Sequence, residues 1–309
     1  MRTLVSSVTV REYLAELVEF MQDGNCLVFV DTNVIAWSFR LNQRARTELV
    51  PWLYRMAQDE RLKIPAWAVH EYNHHLEKQD ANFFHPGKAV TKRVLSALAE
   101  LKPIAALGVD DDFAKDVGYE TRAAALDELA TAAEVVRKFA ERLRQVDADL
   151  QRALVAQWEE LVRRAGLKTE VHALAARAHD EANARFQNRL SPGFEDADKL
   201  ANRAGDLIVW NEILTCCRER RAMRAVLLTN DGKADWVYTP RSVVLPTGKT
   251  VDGTSKVAQV VKLPKADLLD EFDRATGGGE LRIFSLETAA DAMSSSELNS
   301  RDAADFRHL

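Results

Sequence analysis

Length, composition and charge place the chain among globular proteins. Its 309 residues are 47% hydrophobic, enough for an apolar core in one large domain or two ordinary ones. The formal net charge of −5 argues against a protein that coats nucleic acid through a large basic surface, although it is compatible with an enzyme that has a local basic rim.

Export, membrane insertion and disulfide bonding are not indicated. The chain does not open on a basic segment followed by an apolar one, and no window approaches 18 uninterrupted apolar residues. Cys26, Cys216 and Cys217 form neither a disulfide framework nor a zinc-binding pattern. We therefore expect a cytoplasmic protein that does not associate with membranes.

The first residues predict helices alternating with buried strands. Apolar periodicity predicts a helix over residues 8–22, and the run CLVFV over 26–30 predicts a parallel strand buried on both faces. Asp31 follows this strand, at the edge where open α/β sheets bind ligands. The alternative is that Asp31 serves only as the N-cap of the next helix. Further helices are predicted over 41–60 and 67–80.

The stretch IPAWAVHEYNHHLE contains an HExxH pattern, formed by His70, Glu71 and His74. Zinc proteases use such a pattern to bind a metal through two imidazoles. Here Glu71 follows a short predicted strand directly, as Asp31 does, and a helix turns about 100° per residue, so Glu71 points away from the face that both histidines share. We interpret Glu71 as a member of an acidic site.

A long helical segment separates the two halves of the predicted α/β fold. Residues 121–166 contain no glycine or proline before Gly166 and follow the spacing of a coiled-coil seam, so they predict one long helix or two in line. Residues 169–190 predict a returning helix that could bury the seam, and a homodimer through this arm is the alternative. The predicted division is 1–87 and 196–293 for the α/β domain, 88–195 for a helical insertion, and 294–309 for a disordered tail.

Two more acidic residues occur where elements meet in the second half. Asp206 lies in the first turn of a predicted helix, and Asp231 follows a predicted strand at 224–229. A hairpin is predicted within 241–261, and LRIFS predicts a last strand. We expect Asp31, Glu71, Asp206 and Asp231 to lie close together, without a lysine or arginine to neutralise each of them. Carboxylate oxygens of this kind suit Mg²⁺ or Mn²⁺, and the chemistry indicated is phosphodiester hydrolysis.

The motifs FVDTNVIAW, IPAWAVHEY, GDLIVW and LLTNDGKADW resemble the four acidic motifs of the PIN-domain nucleases, in the same order. The resemblance implies a three-layer α/β/α fold with a central parallel sheet, and a metal-dependent nuclease that acts on RNA more often than on DNA. SPGFEDADK and LLDEFDRATGG are also similar to a bacterial PIN-like subgroup that carries a long helical insertion. The metal-binding quartet carries over to Asp31, Glu71, Asp206 and Asp231.

The resemblance also implies secondary positions around the quartet. Asn33 matches the polar residue of the first motif; the other matching positions are Asp196, Lys199, Lys233 and Asp235. Asp235 is an alternative to Asp231 as the fourth acid, but Asp231 follows the strand directly. Lys199 and Lys233 could hold phosphate. Arg40 could contact phosphate or be solvated.

Two other functions remain open from the sequence. The same acidic site could serve a DNA nuclease or a structure-specific nuclease of a defence system, because metal and phosphate do not reveal the sugar. A non-catalytic interaction module is the third alternative.

Overall fold

The computed structural model describes residues 4–41 and 43–295 and contains two compact units. The first unit is formed by the residues up to His74 and those from Gln157 onwards; the second unit is His75–Ala156. The predicted division at residues 88 and 196 stays a prediction. Most of the predicted disordered tail, from residue 296, lies outside the described residues.

Strands lie in the first and last parts of the described chain, and a run of consecutive helices separates them. The strands are β1 (Ser7–Thr9), β2 (Cys26–Val30), β3 (Leu62–Lys63), β4 (Arg224–Leu228), β5 (Val237–Tyr238), β6 (Ser242–Val244), β7 (Thr250–Asp252), β8 (Leu263–Pro264) and β9 (Glu280–Phe284). The helices are α1 (Val10–Gln22), α2 (Thr32–Ser38), α3 (Gln43–Gln58), α4 (Ala66–Glu77), α5 (Ala81–Phe84), α6 (Pro86–Gly108), α7 (Asp111–Asp116), α8 (Arg122–Ala165), α9 (Val171–Asn188), α10 (Gly205–Arg220), α11 (Ala266–Thr276) and α12 (Leu286–Ser295). Phe194–Asp196 and Lys256–Val260 form short 3₁₀ segments.

A parallel sheet in the order β3-β2-β4-β9 forms the centre of the first unit. All five side chains of β2 are buried, as the uninterrupted run CLVFV predicts for a central parallel strand. Val30 pairs with Leu228, and Leu228 pairs with Phe284. The carboxyl ends of β2, β4 and β9 therefore lie side by side, and the residues that follow them meet at one edge. The mixed α/β architecture with a parallel sheet is confirmed.

Apolar side chains from one face of this sheet build a core with three helices. Leu27 and Phe29 of β2 pack with Leu281 and Ile283 of β9 and with side chains of α9, α10 and α11. Trp210, at the centre of α10, is fully buried there. This packing fixes α10, and with it Asp206 in its first turn, against the sheet.

Two small sheets complete the first unit. The predicted hairpin within 241–261 is formed by β6 and β7, which pair antiparallel. β1 pairs parallel with β6, and β5 pairs antiparallel with β8. The sequence does not predict β1, because a three-residue strand is too short to show a period-two pattern.

The long helix predicted over 121–166 is a single helix, α8, of 44 residues. In the second unit its apolar side faces α6: the Thr91 hydroxyl donates to the Ala140 carbonyl over 2.9 Å, and side chains of both helices enclose a small apolar cavity. The predicted returning helix is α9, which packs against α10. In the described part of the chain, no helix is both long and apolar enough to cross a membrane.

Candidate active site

Asp31 is held at the carboxyl end of β2 by neutral donors. Its Oδ1 accepts from the Thr32 amide over 2.7 Å, which makes it the N-cap of α2. Its Oδ2 accepts from Asn33 Nδ2 over 2.6 Å and from the Thr229 hydroxyl over 2.9 Å. Asn33 also accepts the Asn230 amide through its Oδ1, over 2.8 Å. The N-cap function is therefore present together with a network that joins the ends of β2 and β4.

Two other acidic side chains affect the charge of Asp31. Burial, together with the negative charges of Asp206 and Glu71, raises the pKa of Asp31 to about 7, although the hydrogen bonds from Thr229 and Thr32 act in the opposite direction. Burial also raises the pKa of Asp206, against the attraction of Lys233. Carboxylates that are buried near one another attract a cation strongly.

Glu71 lies in α4, and two neutral side chains hold its carboxylate. The Thr32 hydroxyl donates to Oε2 and the Asn202 amide to Oε1, each over 2.5 Å. The start of α4 is fixed by Glu212, which accepts the Ala66 and Trp67 amides over 2.9 and 3.0 Å. Glu212 is a buried residue of α10, so α10 positions both Asp206 and the helix that carries Glu71.

Lys233 links three carboxylates at the centre of the site. Its Nζ lies 2.9 Å from an oxygen of each of Asp196, Asp206 and Asp231. Burial opposes the charge of Lys233, but the carboxylates, with Asp206 foremost, raise its pKa above the ordinary value. The expectation that no lysine neutralises these acids is wrong for Asp206 and Asp231. Lys199 Nζ, by contrast, contacts Asp196, over 2.7 Å.

The two alternatives for the fourth acid have different surroundings. Asp231 accepts the Lys233 amide over 3.1 Å, besides its ion pair with the same residue. Asp235 is fully buried and accepts the Gly193 and Glu195 amides over 2.7 and 3.3 Å. Burial raises the pKa of Asp235. Asp231 thus belongs to the same ion-pair network as Asp206, and Asp235 anchors the loop that follows α9.

Arg40 and the HExxH histidines are not part of this network. Arg40 is exposed just beyond α2 and has no side-chain contact with the carboxylates in the described residues. His70 and His74 are both exposed on α4. Within the described ranges, no group of three or more His, Cys, Asp and Glu side chains has its donor atoms gathered around one point as a metal site does. Asp206 and Asp231 are instead turned to Lys233, and Glu71 to Thr32 and Asn202.

Four contacting residues were not anticipated from the sequence. Thr32 and Thr229 stand next to predicted site residues, and a hydroxyl directly after a buried strand is a signal that could have indicated them. Trp236 is buried and donates through Nε1 to Asp206 over 3.1 Å. Asn202 lies in a loop, 131 positions from Glu71, and no sequence pattern signals that contact.

A family model described as a PIN-like domain matches residues 27–248, a span that includes all four predicted acidic residues. The chain belongs to the PIN-like domain family. The predicted family is therefore confirmed, and PIN domains are generally nucleases that act on nucleic acid with divalent metals. Comparisons with curated proteins and with solved structures gave no significant match.

Proposed function

We propose that this PIN-like protein is a divalent-metal-dependent nuclease that hydrolyses phosphodiester bonds, and that it is an endoribonuclease. The observation that carries the proposal is the meeting of Asp31 and Glu71 at the carboxyl edge of the parallel sheet, where Thr32 donates its amide to Asp31 and its hydroxyl to Glu71. Asp206 is close enough for its charge to raise the pKa of Asp31. Asp231 joins them through Lys233. Ligand sites of open α/β sheets lie at this edge.

The donor set fits Mg²⁺ or Mn²⁺. Asp31 is contacted by neutral donors, and Glu71 likewise, so neither carboxylate has a cationic partner among these contacts. Oxygen ligands with uncompensated charge suit hard cations that retain waters. Asp31, Glu71, Asp206 and Asp231 would hold the ion, which would supply Lewis-acid chemistry by activating water and offsetting charge on the scissile phosphate.

The remaining polar residues position the acids and the substrate. Asn33 and Thr229 orient the Asp31 carboxylate, and Thr32 orients Glu71. Lys233 and Lys199 lie beside the carboxylates, where an ammonium can bind a phosphate oxygen when substrate enters. Asp196 holds both lysines in place. Asp235 keeps the neighbouring loop ordered, and Arg40 is available to contact a phosphate further along the strand.

We further propose a three-layer α/β/α arrangement around the sheet with a helical insertion over residues 88–195. Its support is that α9, α10 and α11 cover one face, whereas α1 contacts β2 and β4 and packs against α12. We also propose a cytoplasmic location, supported by three free, buried cysteines, which suit a reducing compartment.

The experiment compares substrates under identical conditions. Single-stranded RNA, single-stranded DNA and branched DNA of matched sequence are incubated with purified protein and Mn²⁺ or Mg²⁺. We expect internal cleavage of RNA that is lost in the Asp31→Asn Asp206→Asn variant. A preference for DNA would reverse the order of substrates and favour the defence-nuclease alternative. Nuclease function at this site would be refuted if the double variant cleaved as fast as the wild type, or if the wild type cleaved no substrate.

A non-catalytic interaction module is the second candidate, and Lys233 is the observation that favours it. Its ammonium already compensates Asp206 and Asp231, as a structural ion pair would. Such a module predicts no metal-dependent rise in melting temperature. Mn²⁺ that raises the wild-type melting temperature, but not that of the Asp31→Asn Asp206→Asn variant, would exclude it.

A homodimer through residues 121–189 remains a subsidiary proposal. Val135 and Phe139 of α8 are each 63% exposed, so apolar surface is available in the second unit. Contacts between α6 and α8 already cover part of the predicted seam. Sedimentation of the full chain and of a variant lacking residues 121–189 tests the proposal: a monomer in both cases contradicts it.

A further inference from the structure

A cavity of about 450 Å³ lies in the first unit beside the candidate active site. Its wall is formed by residues that follow β4 and β9, by the segment Lys256–Lys262, and by Trp37 of α2. We call it the Trp37 cavity. Sites for small organic ligands commonly enclose about 300–1,000 Å³, so one nucleotide fits a space of this size.

We propose that the Trp37 cavity binds one unpaired nucleotide of the substrate strand, next to the phosphodiester held at the carboxylates. The inference rests on the proposed nuclease function and adds a subsite for an unpaired nucleotide beside its carboxylates. It is carried by a shared wall, an aromatic surface, two lysines and an unsatisfied amide.

The shared wall consists of Thr229 and Asp231. Both residues line the Trp37 cavity. Thr229 donates to Asp31, and Asp231 shares Lys233 with Asp206. A strand whose phosphate lies at the carboxylates can therefore continue directly into the cavity, because the two sites border the same residues.

Trp37 supplies the aromatic surface. It is partly exposed and lines the cavity. Trp210 and Trp236, the tryptophans nearer Asp206, are 0% and 3% exposed and pack edge to face with ring centroids 6.1 Å apart. They belong to the core and offer no free face to a base. A base that stacks on an indole must be unstacked from its own neighbours, which is the condition of a single strand.

Two lysines provide positive charge in the same wall. Lys262 Nζ bonds Gln259 Oε1 over 2.7 Å and Thr239 Oγ1 over 3.3 Å, both neutral oxygens. Burial lowers the pKa of Lys262. Lys256 is exposed, and neither lysine forms an ion pair within the described residues. A phosphate group would give them the anionic partner they lack.

An unsatisfied amide and the acidic groups of the wall further restrict the chemical class of ligand that the cavity accepts. Asn230 accepts the Leu286 amide at its Oδ1 over 3.4 Å, but its buried Nδ2 has no partner in the described part of the chain. A base carbonyl or ring nitrogen would satisfy this donor once the Asn230 side chain turns towards the cavity. Asp231 and Glu287 also line the cavity, so a bare anion is a poorer match than a ligand that combines a ring, acceptors and one phosphate.

The test measures binding without cleavage. Full-length protein in EDTA is titrated into fluorescein-labelled single-stranded RNA, single-stranded DNA and an RNA hairpin that carries the same sequence in its stem. We expect Trp37→Ala to weaken single-strand binding about tenfold, consistent with about 1–3 kcal/mol per stacked base, and Trp37→Phe to stay within about threefold of wild type. Lys256→Ala should weaken binding, whereas Lys249→Ala, an exposed lysine outside the cavity, should not.

A second readout covers the case in which Trp37→Ala does not fold. Oligonucleotides with 2-aminopurine moved along the strand should give strong quenching at one position with the wild type, and less with Trp37→Phe or Lys256→Ala. The inference is overturned by equal quenching at every position, by equally tight binding of the hairpin stem, or by UMP or AMP binding as tightly as the strand, which would make this a site for free nucleotides.

The outcomes separate the inference from the function on which it rests. If the wild type cleaves RNA but a folded Trp37→Ala binds the single strand normally, the nuclease proposal stands and the cavity proposal fails. If Trp37→Ala weakens binding but no metal produces cleavage, the nuclease proposal fails and the strand-binding cavity remains.

Discussion

Lys233 Nζ lies 2.9 Å from Asp206 Oδ2, so the ammonium of this chain contacts a residue that we propose as a metal ligand. The same nitrogen is 2.9 Å from Asp231. A lysine and a divalent cation compete for the same carboxylates, because each compensates the same negative charge. Metal affinity and phosphate binding should therefore respond oppositely to the removal of Lys233.

Lys233→Met should bind Mn²⁺ more tightly and cleave RNA more slowly. Loss of the ammonium removes a positive charge that repels the incoming ion, and an effect of about tenfold, or about 1.4 kcal/mol, is expected in calorimetric titration. Cleavage should fall because the phosphate loses a cationic contact. Lys199→Met is the matched control, since Lys199 contacts Asp196, and should change Mn²⁺ affinity less. Weaker Mn²⁺ binding by Lys233→Met would contradict the competition.

Glu71→Gln should abolish Mn²⁺-dependent cleavage, whereas His70→Ala His74→Ala should keep most of it. Glu71 is held by Thr32 and Asn202 beside Asp31, but both histidines are exposed. Initial rates on single-stranded RNA and the zinc content of the purified protein check the prediction. A double histidine variant as inactive as Glu71→Gln, with one zinc per chain, would restore the HExxH interpretation.

Arg185→Met should lower the free energy of unfolding by about 1–3 kcal/mol, the usual cost of leaving a partly buried hydrogen-bond acceptor without its donor. Arg185 is buried, and its guanidinium contacts Glu271 at 2.6 Å as well as Glu181. Glu271 also accepts Trp210 Nε1 over 2.8 Å, so the pair supports the central core. Urea unfolding followed by circular dichroism measures the change.

The control for Arg185 lies on the same helix. Arg177 is exposed on α9, and Arg177→Met should change the free energy of unfolding by less than about 0.5 kcal/mol. The double variant Arg185→Met Glu271→Gln should recover part of the lost stability, because it removes the uncompensated carboxylate as well. Equal unfolding midpoints for Arg185→Met and Arg177→Met would rule out a stabilising ion pair.

Glu212 should make stability rise as the pH falls. Burial raises its pKa in the folded protein, against hydrogen bonds from the Trp67 and Ala66 amides. The folded state therefore binds more protons than the unfolded state between the folded pKa and the ordinary value of 4.5. Relative to Glu212→Gln, wild type should gain free energy of unfolding as the pH is lowered towards 5. A constant difference between pH 8 and pH 5 would show that Glu212 has an ordinary pKa.

The sequence predicted those parts of the site that depend on local pattern. Asp31 and Asp231 could be located because each follows a buried apolar strand, and parallel strands bring their carboxyl ends to one edge. Asn33 was identified by resemblance to the first PIN motif, and its amide indeed contacts Asp31. Local periodicity also predicted α8, a helix without internal glycine or proline.

The parts of the site that the sequence did not predict depend on contacts that leave no periodic pattern in the sequence. Lys233 reaches Asp206 across 27 positions, and Asn202 reaches Glu71 across 131. The first contact arises only once α10 is packed against the sheet. The second also needs α4 to be packed against α10, where the buried Glu212 accepts the Ala66 amide. The ion pairs of Lys233 with Asp206 and Asp231 were not predicted for the same reason. The direction in which a long lysine side chain extends is set by tertiary packing.

The most direct test of the central claim is the rate of RNA cleavage as a function of Mn²⁺ concentration for wild type and Asp31→Asn. Both proteins are first shown to have the same melting temperature in EDTA, to within a few degrees. A saturable, Mn²⁺-dependent rate for wild type that falls at least about a thousandfold in Asp31→Asn is predicted, because loss of an essential metal ligand costs roughly 4 kcal/mol or more of transition-state stabilisation. Equal rates for the two proteins, or a wild-type rate independent of Mn²⁺, would contradict a metal-dependent nuclease site at the carboxyl edge of this sheet.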